Sequence, residues 1–348
     1  MSEVLVAMSG GVDSSVAAAL LLDAGHTVTG VTLRLWGGET DSGCCSVSDV
    51  EDARRVAAQL GISHYVFNLA DTFMESVVDP YVAAHSMGNT PNPCVECNRS
   101  IKFGVLFERA VTMGFSALAT GHHARVSQSP NGEWQLLRGV DDAKDQSYVL
   151  YMLDQAHLAR TLLPVGEMTK AEVRSEATRL GLRTATKPES MDVCFVRRED
   201  RGDFLAARAP ARPGVVQEID GTVVARHEAL AGFTVGQRKG LGVAQGEPRY
   251  VIAVDGPSAT VTIGTQVDLL TPTLALRDMT FVAEAAPSRS EELSVQTRAH
   301  GSLGRGRIEM GESGSAEVLL RQPLARVASG QVVALYRGDE LVGGGIVA

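Results

Sequence analysis

The chain has 348 residues, 44% of them hydrophobic and 21% charged, with a formal net charge of −9. That length supports two or three domains with sizeable cores, and the composition excludes disordered and collagen-like classes. The acidic balance argues against simple electrostatic capture of nucleic acid, but it leaves room for an RNA held by local patches, scattered arginines and shape. No apolar run is long enough to span a bilayer, and the N-terminus lacks the basic-then-apolar pattern of a signal peptide. The expectation is a cytoplasmic protein with no membrane partner.

The first elements are the sharpest. Val4-Leu5-Val6-Ala7 reads as a strand and Ser15 to Leu22 as a helix. Between them runs Ala7-Met8-Ser9-Gly10-Gly11-Val12-Asp13-Ser14. A strand, a Gly-rich turn and a helix N-terminus make an anion site, because backbone N–H groups point outward and the helix dipole favours negative charge. A Walker A loop needs a Lys that this stretch lacks, and a Rossmann turn needs a G-x-G-x-x-G that is also missing. The spelling S-G-G-x-D-S resembles the pyrophosphate loop (PP-loop) of N-type ATP pyrophosphatases, which split ATP to activate an oxygen of a second substrate.

Val28 to Leu33 reads as a second strand. Ser48-x-x-Glu51 reads as a capping box opening a helix that stops at Gly61. Tyr65 to Leu69 and Ala117 to Thr120 read as further strands, the last ending at Gly121-His122. Strands separated by helices predict a mostly parallel sheet with ligands at the strand C-terminal ends, where the PP-loop, Leu33 and Gly121 would lie. Asn89 to Arg99 carries two prolines and reads as an ordered, non-helical loop, with a helix from Ile101. Thr169-x-x-Glu172 opens another helix that ends at Gly181. Lys187 to Val196 reads as a loop or short strand. The texture then changes. Ala209-Pro210 and Arg212-Pro213-Gly214 mark one boundary and Thr271-Pro272-Thr273 a second. Short runs such as Tyr250 to Val254 and Ala259 to Ile263 predict small β-rich units. The expected fold is α/β: a PP-loop domain over 1–208, a central β-rich domain over 209–270 and a β-barrel-like domain over 271–348.

Five cysteines, Cys44, Cys45, Cys94, Cys97 and Cys194, are an odd number for a disulfide framework. Cys94 and Cys97 form a C-x-x-C near a helix start and near Arg99 and Lys102, a setting that favours thiolates. Inert burial, half of a zinc site, and sulfur or redox chemistry are the competing readings. Zinc lacks a second pair at the right spacing. Cys44 and Cys45 are given no role.

Taken in order, the PP-loop, Thr90-Pro91-Asn92-Pro93 with Cys97-Asn98, Ala119-Thr120-Gly121-His122, Lys144-Asp145-Gln146-Ser147-Tyr148, Ser190-Met191-Asp192-Val193-Cys194-Phe195 and Gly236 to Gly242 form a distinctive set. The chain resembles the MnmA/TrmU-type tRNA-specific 2-thiouridylases from Ala7 to Ile346. The resemblance implies an adenine-nucleotide alpha-hydrolase-like PP-loop domain that uses ATP and Mg²⁺. It implies adenylation of O2 of the tRNA wobble uridine, then sulfur transfer to C2 with release of AMP and pyrophosphate. Cys97 matches the nucleophile position and Cys194 the persulfide-bearing position. Ala7, Met8, Ser9, Gly10, Gly11, Val12, Asp13, Ser14, Leu33 and Gly121 match nucleotide-binding positions. His122, Lys144, Asp145, Gln146, Arg298 and Gln331 match tRNA-binding positions. The implied partners are tRNAs reading Lys, Glu and Gln codons and a cysteine desulfurase or sulfur-relay protein, with a monomer as the default state.

One departure matters. Many members of that family have Asp where this chain has Cys94. Three thiolates, Cys94, Cys97 and Cys194, suit a [4Fe–4S] cluster with one open iron, so a cluster route and a persulfide route both stay open. Two other functions compete: a different ATP pyrophosphatase, such as a lysidine synthase or an amidotransferase synthetase, and a non-catalytic nucleotide-sensing or RNA-binding protein.

Overall fold

The computed structural model describes residues 1–36, 47–188, 193–197, 199–243, 246–299, 301 and 303–348. Cys44, Cys45, Ser190, Met191 and Asp192 lie outside the described residues. Among the described residues no helix is long and apolar enough to cross a membrane.

Five parallel strands form the first sheet, in the order Ser63–Asn68, Thr27–Arg34, Glu3–Ala7, Ala117–Thr120, Thr161–Leu162. The strand Glu3–Ala7 is central, and its Val4, Leu5 and Val6 are fully buried. A parallel strand covered on both faces reads as a continuous apolar run rather than an alternating one. Strand order turns at this strand, which is where open α/β sheets bind ligands. The helix Val12–Asp23 follows it directly. Its Val16, Ala17 and Ala18 are fully buried, and small side chains let the helix lie close to the sheet.

Two local readings need correction. The helix Val47–Leu60 already contains Ser48, so Ser48-x-x-Glu51 does not begin at its N-cap. The prolines of Asn89 to Arg99 do not keep the whole segment non-helical. A helical turn spans Pro93–Glu96, with the Asn92 side chain accepting from the Cys94 N–H at 3.0 Å. Asn at the N-cap and Pro at the first helical position are start signals, because that Pro lacks an N–H the helix would leave unpaired anyway. A wider, π-type stretch, Cys97–Leu106, continues it and bends at Gly104. The second capping box holds as read: Thr169 accepts from the Glu172 N–H, and Glu172 reaches back to Thr169.

The central unit is a four-stranded sheet in the order Tyr250–Asp255, Thr260–Gly264, Gly214–Glu218, Val223–His227. Beyond it, six strands close a barrel: Leu270–Phe281 pairs with Ala316–Ala325 on one side and with Glu340–Val347 on the other. Thr271 to Thr273, read as a boundary, lies inside the first of these strands. The register shifts between Thr271 and Thr273, which accommodates Pro272, a residue that cannot donate to a ladder.

The barrel is also joined to the first unit. The hairpin Ala124–Gln128 and Trp134–Arg138 extends the barrel sheet, with Leu136 opposite Leu341 and Leu137 opposite Glu340. Leu136, Tyr148, Tyr151, Val332, Ala334 and Tyr336 share one buried cluster with the α/β core. Apolar burial therefore crosses the join, and hydrophobic stabilisation scales with that buried area. Truncating a fully buried Leu costs about 2–5 kcal/mol. Leu136→Ala is therefore expected to lower global stability by that amount in urea titration, with the first unit and the barrel losing structure together. A loss confined to the barrel, with the α/β signal unchanged, would contradict the shared core.

Candidate active site

The PP-loop is built by backbone proximity. Gly10 has φ +73°, and a Cβ there would lie 2.3 Å from the Asp49 carbonyl oxygen. A Cβ on Gly121 would lie 2.6 Å from the Ser14 nitrogen and 2.7 Å from the Asp13 carbonyl carbon. Glycine is the residue that fits both places. Ala7 pairs with Val31 and Thr120, and the Met8 N–H donates to the Val31 carbonyl at 2.8 Å, fixing the loop at the strand ends. Gly11 caps the helix without a side chain, so no capping group covers its first turn. Ser9 N–H donates to Ser14 Oγ at 3.1 Å, while Ser14 Oγ and Ser15 Oγ donate to the Gly11 carbonyl at 3.2 and 2.8 Å. Val12 is buried in the core beneath the loop. Leu33 is buried two residues past Val31 on the same strand, where only packing or backbone groups can serve a nucleotide.

Asp13 is the acid of this loop, and its partners were not read from the sequence. Lys170 Nζ lies 2.7 Å from each carboxylate oxygen, and His123 Nε2 donates to Oδ1 at 3.1 Å. Burial would push the Asp13 carboxyl up, but the bonds from His123 and Lys170 and the Lys170 charge hold it below the usual Asp value. Asp13 is thus anionic at neutral pH, and the pairing supports the fold above the usual Asp value and fades as acid protonates it. His122, the histidine singled out in the sequence, is buried at 7% exposure. Its Nδ1 meets Thr120 Oγ1 at 2.7 Å and its Nε2 meets Lys102 Nζ at 3.4 Å. Burial, then the Lys102 charge, hold it well below the ordinary His value, so it is neutral and cannot act as a cationic phosphate contact.

Cys97 and the Cys194 segment meet in one hydrophobic cluster of the first unit. Cys94 and Cys97 stand one helical turn apart. Cys97 is buried, while Cys94 and Cys194 are half-buried. Phe195 anchors the Cys194 segment in an aromatic cage. Its ring centroid is 5.5 Å from Tyr81, 5.5 Å from Phe204 and 5.7 Å from Phe73. Tyr81 in turn senses Cys94: burial pushes its phenol up, Arg201 opposes the rise and the Cys94 charge adds to it. Arg99 and Lys102, expected beside the thiols, point their cations elsewhere. Arg99 bonds Glu96 at 3.3 Å and the Tyr151 hydroxyl at 2.7 Å, and Lys102 faces His122.

Among the described residues no three His, Cys, Asp or Glu side chains stand close enough together to hold a metal ion, Cys94, Cys97 and Cys194 included.

The expected tRNA-contact residues divide. Lys144 is half-buried and Gln146 exposed, on the turn after the hairpin. Gln146 Oε1 accepts from the His123 N–H at 3.0 Å, so it also shapes the loop behind Asp13. Asp145 is not at the surface. It is 5% exposed, and its carboxylate takes Arg138 at 2.7 Å, the Gly139 N–H at 3.1 Å and the Ser147 N–H at 3.0 Å. A carboxylate so placed orders the turn rather than meeting RNA, whose phosphates would in any case repel it. Arg298 is exposed, with Nη2 near Gly236 of the central unit. Gln331 donates from Nε2 to the Thr90 carbonyl, beside the cysteine helix.

Comparison with known proteins agrees with this layout. Residues 2–198 match the model of the tRNA methyl transferase HUP domain, 202–265 the tRNA methyl transferase PRC-barrel domain and 271–347 the aminomethyltransferase beta-barrel domain. The chain is 46% identical to a tRNA-specific 2-thiouridylase MnmA of Chloroflexus aurantiacus, over 100% of this chain and 99% of the relative. It is 45% identical to the MnmA of Roseiflexus castenholzii over the full length of both, and 47% identical to that of Mycobacterium avium over 99% of this chain and 98% of the relative. The chain belongs to the MnmA tRNA-specific 2-thiouridylase family. Its parallel α/β HUP sheet, PRC-barrel-like sheet and six-stranded barrel are the parts those models describe.

The tight join of Gly121 to the PP-loop makes a direct test. Overpacking costs about 1–3 kcal/mol, and each ~1.4 kcal/mol is tenfold in affinity. Gly121→Ala is expected to weaken ATP binding by roughly tenfold or more in calorimetric titration. Unchanged affinity would mean that the nucleotide does not use this loop.

Proposed function

We propose that this protein is an ATP-dependent tRNA sulfurtransferase that converts the wobble uridine to 2-thiouridine. The observation that carries the reading is that Val95, Cys97 and Phe195 are buried in one hydrophobic cluster, with Cys194 packed against it, in the unit that bears the PP-loop. ATP enters on the PP-loop, where a bound Mg²⁺ would offset the phosphate charge. The uridine O2 attacks the α-phosphorus, pyrophosphate leaves, and O2 becomes part of a good leaving group. The terminal sulfur of a Cys194 persulfide attacks C2, and AMP departs with O2. Cys97 thiolate then attacks Cys194 Sγ, which frees the sulfur on C2 and leaves a Cys97–Cys194 disulfide. A dithiol reductant and a persulfide donor of the cysteine-desulfurase or relay type restart the cycle. Lys144, Gln146 and Arg298 are the expected RNA contacts, with the wobble base unstacked into the site.

A second reading, methyl transfer, is favoured by the descriptions of two of the family models. Methyl transfer does not require a pair of thiols beside a PP-loop, and the full-length relatives carry the thiouridylase name.

The test separates the two half-reactions. With unmodified tRNA, ATP and a persulfide donor, Cys97→Ser and Cys194→Ser are expected to form no 2-thiouridine while still releasing pyrophosphate. Cys94→Ser is expected to keep most of the thiolation. Full activity of Cys194→Ser would remove the persulfide step, and loss in Cys94→Ser would restore the third cysteine to the chemistry.

A further inference from the structure

The loop that leads to Cys94 is held from outside its own unit. Thr90 is 8% exposed, and both of its peptide groups are taken by the barrel. Its N–H donates to the Ser329 carbonyl at 2.7 Å, and its carbonyl accepts from Gln331 Nε2. Between those two residues Gly330, at φ +89°, lies so close that a Cβ would be 3.2 Å from the Pro91 nitrogen and 3.3 Å from the Thr90 carbonyl carbon. The turn is itself pinned to the last barrel strand, because Gly330 N–H donates to the Val347 carbonyl at 3.0 Å and Val347 N–H to the Gln331 carbonyl at 2.8 Å. The central unit adds a third hold: Thr90 Oγ1 donates to Thr234 Oγ1 at 3.3 Å, and Thr234 N–H donates to Gln237 Oε1 at 3.0 Å.

From Thr90 the chain has little freedom before it reaches the first cysteine. Pro91 and Pro93 fix their φ angles, and Asn92 caps the Cys94 N–H. A shift at Thr90 is therefore passed to the helix that carries Cys94 and Cys97. A half-buried hydrogen bond from one barrel turn thus bears on the placement of a reactive group in another unit.

We propose that Gln331 is a positioning residue: its amide, with the Ser329 carbonyl, clamps Thr90 and so sets where Cys97 stands relative to the activated uridine. The proposal rests on the sulfurtransferase reading, and it gives Gln331 a role beyond the RNA contact its position implies. The clamp also means that the barrel, which carries Arg298, and the cysteine helix move as one body.

The experiment uses full-length Gln331→Met and Gln331→Glu, which keep the side-chain size and remove the donor. Gly330→Ala is the second route, since it presses on Pro91 without altering Gln331. Three quantities are read: the Kd for an unmodified tRNA transcript, the single-turnover rates of pyrophosphate release and of 2-thiouridine formation, and the alkylation rate of Cys97 by iodoacetamide without ATP or tRNA. Displacing a reacting group by about 1 Å costs up to roughly 100-fold. The expected result is a fall in thiolation of roughly 10- to 100-fold at saturating tRNA, with tRNA Kd and pyrophosphate release within about twofold of the parent protein. Alkylation of Cys97 is expected to rise severalfold in all three variants. A raised tRNA Kd with normal thiolation at saturation and normal alkylation would make Gln331 an RNA contact only and overturn the clamp. Thiolation by Cys97→Ser would sink the underlying chemistry instead, and the alkylation rates of the Gln331 variants would still decide the positioning.

Discussion

The site depends on one steric constraint: the backbone after the strand Ala117–Thr120 must touch the backbone of the PP-loop. With a Cβ at Gly121 only 2.6 Å from the Ser14 nitrogen, the two strand ends cannot meet if either gains bulk. That contact places the loop at the turning point of the strand order, with the first turn of the helix Val12–Asp23 facing the ligand side. Gly10 applies the same constraint on the other side, against Asp49. The carboxylate of Asp49 is then bonded by Lys187 at 2.7 Å, and Asp52 by the same ammonium at 2.6 Å. Lys187 lies at the root of the segment leading to Cys194. The loop that would hold ATP and the segment that would carry sulfur are thereby tied to one helix end.

The β-rich parts are not appendages. A hairpin of the first unit extends the barrel sheet, and a turn of the barrel grips the loop before Cys94. Arg138 shows how the join is stabilised. It pairs with buried Asp145 at 2.7 Å, stands 3.6 Å from the centre of the Tyr336 ring and donates to Gln296 at 2.7 Å. A half-buried cation paired with a buried carboxylate is destabilising to disrupt, since removing one partner leaves charge without compensation. A large RNA substrate gives this rigidity a purpose. The wobble base must arrive at a fixed distance from whatever surface holds the rest of the tRNA.

Much of this was legible in the sequence, and the failures have particular causes. The PP-loop, the parallel strands, the Thr169 capping box and the β-rich second half follow from local spacing, which periodicity and turn chemistry report well. The helix at Pro93 was missed because two prolines outweighed the Asn92 cap, although Asn before Pro is also a start signal. Asp145 matches an RNA-contact position in the sequence, and its partner Arg138 is revealed only when the hairpin folds back. His123 and Lys170 reach Asp13 from 110 and 157 residues away, and nothing local marks either of them. The same is true of Gln331 and Thr90, which are 241 positions apart. Pairings of that range are set by topology, not by spacing.

The most direct measurement follows the oxygen that the reaction removes. A tRNA transcript carrying an oxygen isotope at O2 of the wobble uridine would be thiolated in a single turnover, and the AMP analysed by mass spectrometry. The account predicts that the labelled oxygen appears in the phosphate of AMP, in step with 2-thiouridine. Unlabelled AMP alongside 2-thiouridine would contradict activation of O2 by ATP at this site.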